Sequence, residues 1–155
     1  MNAALGVEPP PPLHGGWFRL EPLGPEHNQR DHDAWMSSID HIRATPGFAP
    51  GDWDSDGWPT PMTLADNLSD LVMHRREFDQ RIAFAYSVLS GDDVIGCLYI
   101  DPDHTGAADA MVRCWVTAAY ADHDHQFAEA IARWIEREWR LGAVRFPGRQ
   151  YAVDR

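Results

Sequence analysis

Phe127, Ile131, Ile135 and Trp139 recur every four residues, with Ala128 and Ala132 beside them. That spacing keeps all six on one face and predicts a strongly amphipathic helix late in the chain, ended by Leu141-Gly142. A second stripe, Leu64, Leu68, Leu71, Val72, Phe78 and Ile82, follows Thr63, which has Asp66 three residues on. Thr63 reads as an N-cap in a capping-box variant with aspartate in place of Glu or Gln. The charged run over 73–81 predicts a solvated face with Arg75–Asp79 and Glu77–Arg81 pairs one turn apart. Trp35, Ile39 and Ile42, at helical spacing in the polar stretch 26–45, predict one more helix ahead of Pro46.

Between these segments the period changes from helical to alternating. Residues 17–23 set Phe18, Leu20 and Pro22 against Arg19 and Glu21, a first strand stopped by Gly24-Pro25. Residues 83–90 and 94–103 read as two strands around the turn Ser90-Gly91-Asp92-Asp93. "HTGAAD" (104–109) closes a hairpin with a strand over 110–120, and 143–149 is a last short strand stopped by Pro147. A hairpin symmetric about Thr105 and Gly106 puts Cys97 directly opposite Cys114; both read as buried reduced thiols. The order is β-α-α-β-β-β-α-β, an α/β protein.

Composition narrows the classes. With 155 residues the chain fits one domain, taken as 17–155, preceded by a flexible arm over 1–16 that contains four consecutive prolines. A hydrophobic content of 44% with 11% aromatic residues argues for a packed core. The formal net charge of -11 argues against nucleic acid and against an anionic membrane surface as partners. All thirteen basic residues are arginine, which removes Schiff-base and P-loop lysine chemistry. No apolar run approaches the roughly 20 residues of a spanning helix. The first sixteen residues do not read as a signal peptide, and cytoplasm is the expected location. Hydrolase, NTPase and dinucleotide-binding fingerprints are absent.

Three stretches carry candidate chemistry. "ADHDHQ" (121–126) holds Asp122, His123, Asp124 and His125 at a strand-to-helix turn. A metal would need three converging ligands, which neighbours at a turn rarely supply, so no metal is expected and an acidic helix cap is the simpler reading. Asp101, Asp103 and His104 at a strand end offer either a general base or ordinary turn chemistry. The Gly/Pro/Asp loop 46–61 carries Phe48, Trp53 and Trp58, and aromatic residues in a long loop pack over something.

Element order and three local matches, "VIGCLYI", "VRCWVTAAY" and "FAEAIARWIEREW", make residues 17–149 resemble the GNAT superfamily of acyl-CoA-dependent N-acyltransferases. "TLADNLSDLVMHRREFDQRIAFAYSVL" and "FPGR" resemble, more narrowly, a short bacterial GNAT-like group. The resemblance implies a three-layer fold with a mixed, mostly antiparallel sheet flanked by helices. It implies a fourth and fifth strand that splay apart to admit the pantetheine arm of acetyl-CoA or another acyl-CoA, here along Trp115, Val116 and Thr117. The pyrophosphate would then lie on a glycine-rich turn at the next helix N-terminus, where amides and the dipole favour an anion. Aligned on Tyr120, the glycine positions fall on Asp122, Asp124 and Gln126. Each aspartate near a phosphate opposes it by about 1–4 kcal/mol, so this pyrophosphate loop is degenerate. Trp53 and Trp58 fall where such proteins close over the acceptor, a small-molecule amine. Only a few residues follow 143–149, so the sheet is expected to be C-terminally shortened, or completed at its edge by a second copy in a homodimer. Tyr151 is the tail's one candidate for the tyrosine acid that the superfamily often uses. Two functions follow: an N-acetyltransferase for an unknown amine, or a catalytically inactive GNAT-like ligand-binding or interaction module that does not bind CoA in the usual mode.

Overall fold

A computed structural model describes residues 4–52 and 57–149; Trp53 and Tyr151 lie outside the described residues. Strand β1 (Arg19–Pro22) leads through a 3-10 turn (Pro25–His27) into α1 (Asn28–Met36), α2 (Ile39–Arg43) and α3 (Leu64–Asp79). Strands β2 (Phe84–Ser90), β3 (Asp93–Pro102) and β4 (Ala110–Val116) follow. A 3-10 segment (Ala118–His123), α4 (Asp124–Glu138) and the two-residue β5 (Val144–Arg145) complete the described chain. The helix expected over 26–45 is broken at Ser37-Ser38. There the Ser37 hydroxyl donates to the Ala34 carbonyl at 2.9 Å and Ser38 Oγ accepts from the Ala118 amide at 3.0 Å. Serine hydroxyls that bond backbone groups compete with the helix ladder.

The five strands lie in sequence order, antiparallel from β1 to β4 and parallel between β4 and β5. The last pairing joins only Ala110 to Val144 and Met111 to Arg145, so β4 runs on beyond its neighbour. Alternation divides the sheet between two cores. Tyr86, Ile100, Val112, Cys114 and Val116 pack against α4 through Phe127, Ile131 and Trp134. Ala85, Leu89, Cys97 and Trp115 pack against α1, α2 and α3 through Trp35, Ile42 and Leu71. Helices on both faces of one sheet make the three layers expected.

Both cysteines are free and buried, as expected, but they are not opposite each other. Leu98 pairs with Cys114 and Cys97 with Trp115, which puts the thiols on opposite faces. The loop 103–109 is centred on Gly106, one position off the symmetric hairpin. The Asp103 carboxylate fixes it by accepting from the amides of Thr105 at 3.2 Å and Ala108 at 2.9 Å. A single-residue slip moves every side chain to the other face.

Thr63 caps α3, its hydroxyl oxygen accepting from the Asp66 amide at 3.0 Å. The apolar stripe behind it is only partly buried. Leu71 is 2% exposed, whereas Leu64, Leu68 and Val72 are 38%, 40% and 39% exposed. Arg75 and Arg81 do not pair along their own helix: Arg75 meets Glu26 at 2.6 Å and Arg81 meets Glu8 at 2.7 Å. The second contact ties down the Pro-rich segment, whose Leu5 and Gly6 amides donate to the carbonyls of Ile82 and Arg81 at 3.0 and 2.8 Å.

Buried His27 joins β1 to β2. Its Nε2 is 3.1 Å from Glu21 Oε1 and its Nδ1 2.9 Å from Ser87 Oγ. The carboxylate only accepts, so Nε2–H donates to it. Ser87 and His27 are buried, so these groups tie the two strands together.

Gly96 pairs with Val116, and a Cβ there would collide with the carbonyl oxygen of Trp115. Backbone cannot yield as a side-chain tip does. Gly96→Ala is therefore expected to lower stability by about 1–3 kcal/mol, read as a shifted urea midpoint with an unchanged slope.

Candidate functional site

The α3 side of the sheet is not fully packed. A cavity of about 440 Å³ lies between β3, β4, α1, α3 and the loop that carries Phe48 and Trp58, within the range typical of small-molecule sites. Its origin is visible on α3. The face turned toward the sheet carries Asn67, Asp70, Leu71, His74 and Glu77, all lining the cavity, while the more apolar Leu64, Leu68 and Val72 face outward. Buried polar groups are the informative departure from inside-outside patterning.

One wall is aromatic. Trp58 lies 5.4 Å from Trp35, 5.9 Å from Phe48, 6.4 Å from Tyr99 and 6.2 Å from Trp115, between ring centroids. Trp115 Nε1 donates to the Tyr99 hydroxyl at 3.2 Å, which fixes both rings. Trp58, expected in an acceptor pocket, is a wall of this cavity.

At one end Asp31 is buried in a polar network. Asn67 Nδ2 donates to it at 3.0 Å, the Cys97 thiol lies 3.5 Å from its other oxygen, and Trp35 Nε1 donates to Asn67 Oδ1 at 3.0 Å. Burial raises the Asp31 carboxyl above its ordinary range despite these donors, and burial with the Asp31 charge raises the Cys97 thiol. At the other end, burial pushes Asp101 up to about 6; nearby Arg113 opposes the rise and the Glu77 charge adds to it. Glu77 is itself raised by burial. Burial, helped by the Arg113 charge, holds His74 down at about 4. The Arg113 guanidinium lies 4.7 Å over the Phe48 ring and 5.5 Å from that of Tyr99.

The three candidate residues at the hairpin separate. Asp101 faces the cavity. Asp103 is a turn residue, held by Arg145 at 2.9 Å and well below the usual carboxylate range because of that partner. His104 is exposed.

The turn "ADHDHQ" is likewise dispersed. His123 packs on Trp17 at 4.8 Å, His125 lies 3.7 Å from Glu129, and Asp122 and Gln126 are exposed. Among the described residues no side chain caps α4, which the chain enters directly from the 3-10 segment, so the capping role expected of Asp122 or Asp124 is not taken up. Asp124 instead accepts two bonds of 3.0 Å from Arg149, a fork on carboxylate that is 8% and 18% exposed on its two sides. Among the described residues no group of three or more His, Cys, Asp or Glu could hold a metal.

Arg149 also bears on β4. Its Nη2 lies 3.5 Å from the Cys114 carbonyl, on the stretch that β5 leaves unpaired. Val116 is in the α4-side core, Trp115 lies under Trp58, and the Thr117 amide donates to Ile95 at 2.9 Å. None of the expected cofactor-binding residues lines the cavity; Trp115 supports its Trp58 and Tyr99 rings from behind.

No protein-family model matches the sequence, and no curated protein sequence matches it. Solved structures do. The ribosomal-protein-S5-alanine acetyltransferase from Vibrio fischeri superposes with a TM-score of 0.59 at 11% identity, over 80% of this chain and 66% of that one. The microcin C7 self-immunity acetyltransferase MccE, in complex with acetyl-CoA and AMP, gives 0.58 at 14% identity, over 79% and 62%. An acetyltransferase from Thermus thermophilus gives 0.53 at 20% identity, over 80% and 73%. The chain spans about two thirds of the length of the first two. Its fold is that of the GNAT acetyltransferases.

The α4 N-terminus that would face a pyrophosphate carries the Asp124 carboxylate, Arg149 lies along the free β4 edge, and the Trp17 ring packs on Tyr120 and His123 over the turn.

Asp101 also gives a pH-dependent prediction. Its folded pKa of about 6 lies above the ordinary 3.8, so the stability it contributes is full below 3.8 and lost as pH rises through 6. His74 works oppositely, losing stability as pH falls from 6.5 through about 4. Asp101→Asn should therefore be more stable than wild type at pH 8 by about 1–3 kcal/mol. In parallel urea titrations that difference should vanish by the acid end of the profile.

Proposed function

We propose that the cavity is the acceptor half of an N-acyltransferase site, built to take a small cationic amine, and that the donor half is closed by the chain's own Arg149–Asp124 pair. The observation that carries this reading is the polar face that α3 turns inward, which sets Glu77 near Asp101 in a cavity that Trp58, Phe48 and Tyr99 also line. Aromatic faces attract a cation, and a desolvated ammonium needs a carboxylate partner. Asp101, ionised above about pH 6, both pairs with the ammonium and can accept its proton. Glu77 shares the charge, and neutral His74 offers a further hydrogen-bonding group.

On this reading the protein binds an amine without CoA in its usual place. A second reading, in which acyl-CoA displaces Arg149 and acylates the bound amine with release of the CoA thiol, is favoured by the unpaired β4 edge beyond Met111 and by the likeness in fold to acetyltransferases.

Calorimetry with phenethylamine and with acetyl-CoA separates the readings. Wild type should bind the amine and show no heat or thermal shift with millimolar acetyl-CoA. The double variant Asp124→Gly with Arg149→Ala, which removes both charges so that neither is left buried alone, should gain acetyl-CoA binding. Micromolar acetyl-CoA binding by wild type would establish the second reading, and absence of amine binding would remove the acceptor site.

A further inference from the structure

Resting on the amine reading of the cavity, we infer that its ligand is a free α-amino acid with an aromatic or large apolar side chain. The cavity contains one more charged group than an amine needs. Arg113 stands on β4 opposite Tyr99 of β3, and Asp101 stands two residues further along β3 on the same face. Such diagonal neighbours lie about 7–8 Å apart at the backbone, with their side chains entering one cavity. The sheet therefore presents a guanidinium and a carboxylate side by side, with Glu77 reinforcing the carboxylate from α3.

This layout is complementary to a zwitterion. An α-amino acid carries its carboxylate and its ammonium on the same carbon, pointing apart, which lets one group face Arg113 while the other faces Asp101. The Arg113 guanidinium is held over Phe48 and near Tyr99, 4.7 and 5.5 Å from their centroids. A two-point fork on a carboxylate is the contact at which arginine excels. A simple amine would use Asp101 and Glu77 but nothing of Arg113. A dicarboxylate would meet Asp101 and Glu77 with its own charge. With head groups held at this end, the side chain lies toward Trp58, Trp35, Leu23 and Leu71, an apolar wall suited to an aromatic ring.

L-Phenylalanine, phenethylamine and L-phenylalaninamide share the ring and the amine and differ at the carboxylate. Calorimetric titration of the wild-type chain with each should give L-phenylalanine at least about tenfold tighter than the other two, the return on one charge-assisted two-point contact. Arg113→Gln should bring the three affinities together. Arg113→Lys, which keeps the charge but not the fork, should give an intermediate ratio; because each ratio is taken within one variant, loss of folded protein does not alter it. Phenethylamine or the amide binding wild type as tightly as L-phenylalanine would overturn the amino-acid assignment and leave the amine site standing. Failure of all three to bind would overturn both.

Discussion

The register between β3 and β4 decides which groups the cavity contains. Side chains alternate along a strand, so pairing Cys97 with Trp115 and Tyr99 with Arg113 sends these four, with Asp101, toward α1 and α3. Leu98, Ile100, Val112 and Cys114 go to the α4 side. A slip of one residue would turn Arg113 toward Phe127 and Ile131 and take its charge out of the cavity. Two features hold the register: the absent side chain at Gly96, which lets β4 approach at Trp115, and the Asp103 carboxylate, which shapes the hairpin loop and anchors Arg145 of β5.

On that frame α3 makes an energetically unfavourable choice. A helix rotated to bury Leu64, Leu68 and Val72 would remove more apolar surface from water than one that buries Asn67 and His74. The structure offsets this by pairing: Asn67 bridges Asp31 to Trp35 and also donates to Asn28 at 2.8 Å. Groups such as Asp101, Glu77 and His74, whose proton affinities burial shifts toward neutrality, mark the same cavity. Departures of this kind concentrate where a chain recognises something.

The sequence carried the elements better than the site. The four-residue recurrence from Phe127 to Trp139 and the cap at Thr63 announce α4 and α3 directly, because both are local signals. Period alone could not reveal that Ser37-Ser38 divides the first helical stretch, since the cause is a hydroxyl bonded to Ala118, eighty residues away. The apolar stripe of α3 misled for a related reason: Asn67, Asp70, His74 and Glu77 also share a helical face, but only the sheet opposite shows which face is inside. Trp58 was legible as a wall because large aromatic residues in a Gly/Pro loop need something to cover. Asp101 stood among three candidates that only the turn geometry separates. Arg113 and Arg149 gave no local signal, since the first acts from mid-strand and the second through a partner twenty-five residues back.

On the proposed reading Arg149 separates this chain's likeness in fold from a likeness in use. It lies against the β4 stretch that β5 leaves unpaired, and its fork holds the Asp124 carboxylate at the start of α4. An acceptor cavity next to a closed donor cleft is the central claim. A crystal structure from crystals grown with saturating L-phenylalanine and acetyl-CoA tests it most directly. The account predicts the amino acid between Arg113 and Asp101, with the Arg149 fork still on Asp124. Pantetheine lying along Trp115 and Val116, with Arg149 swung away, would contradict it.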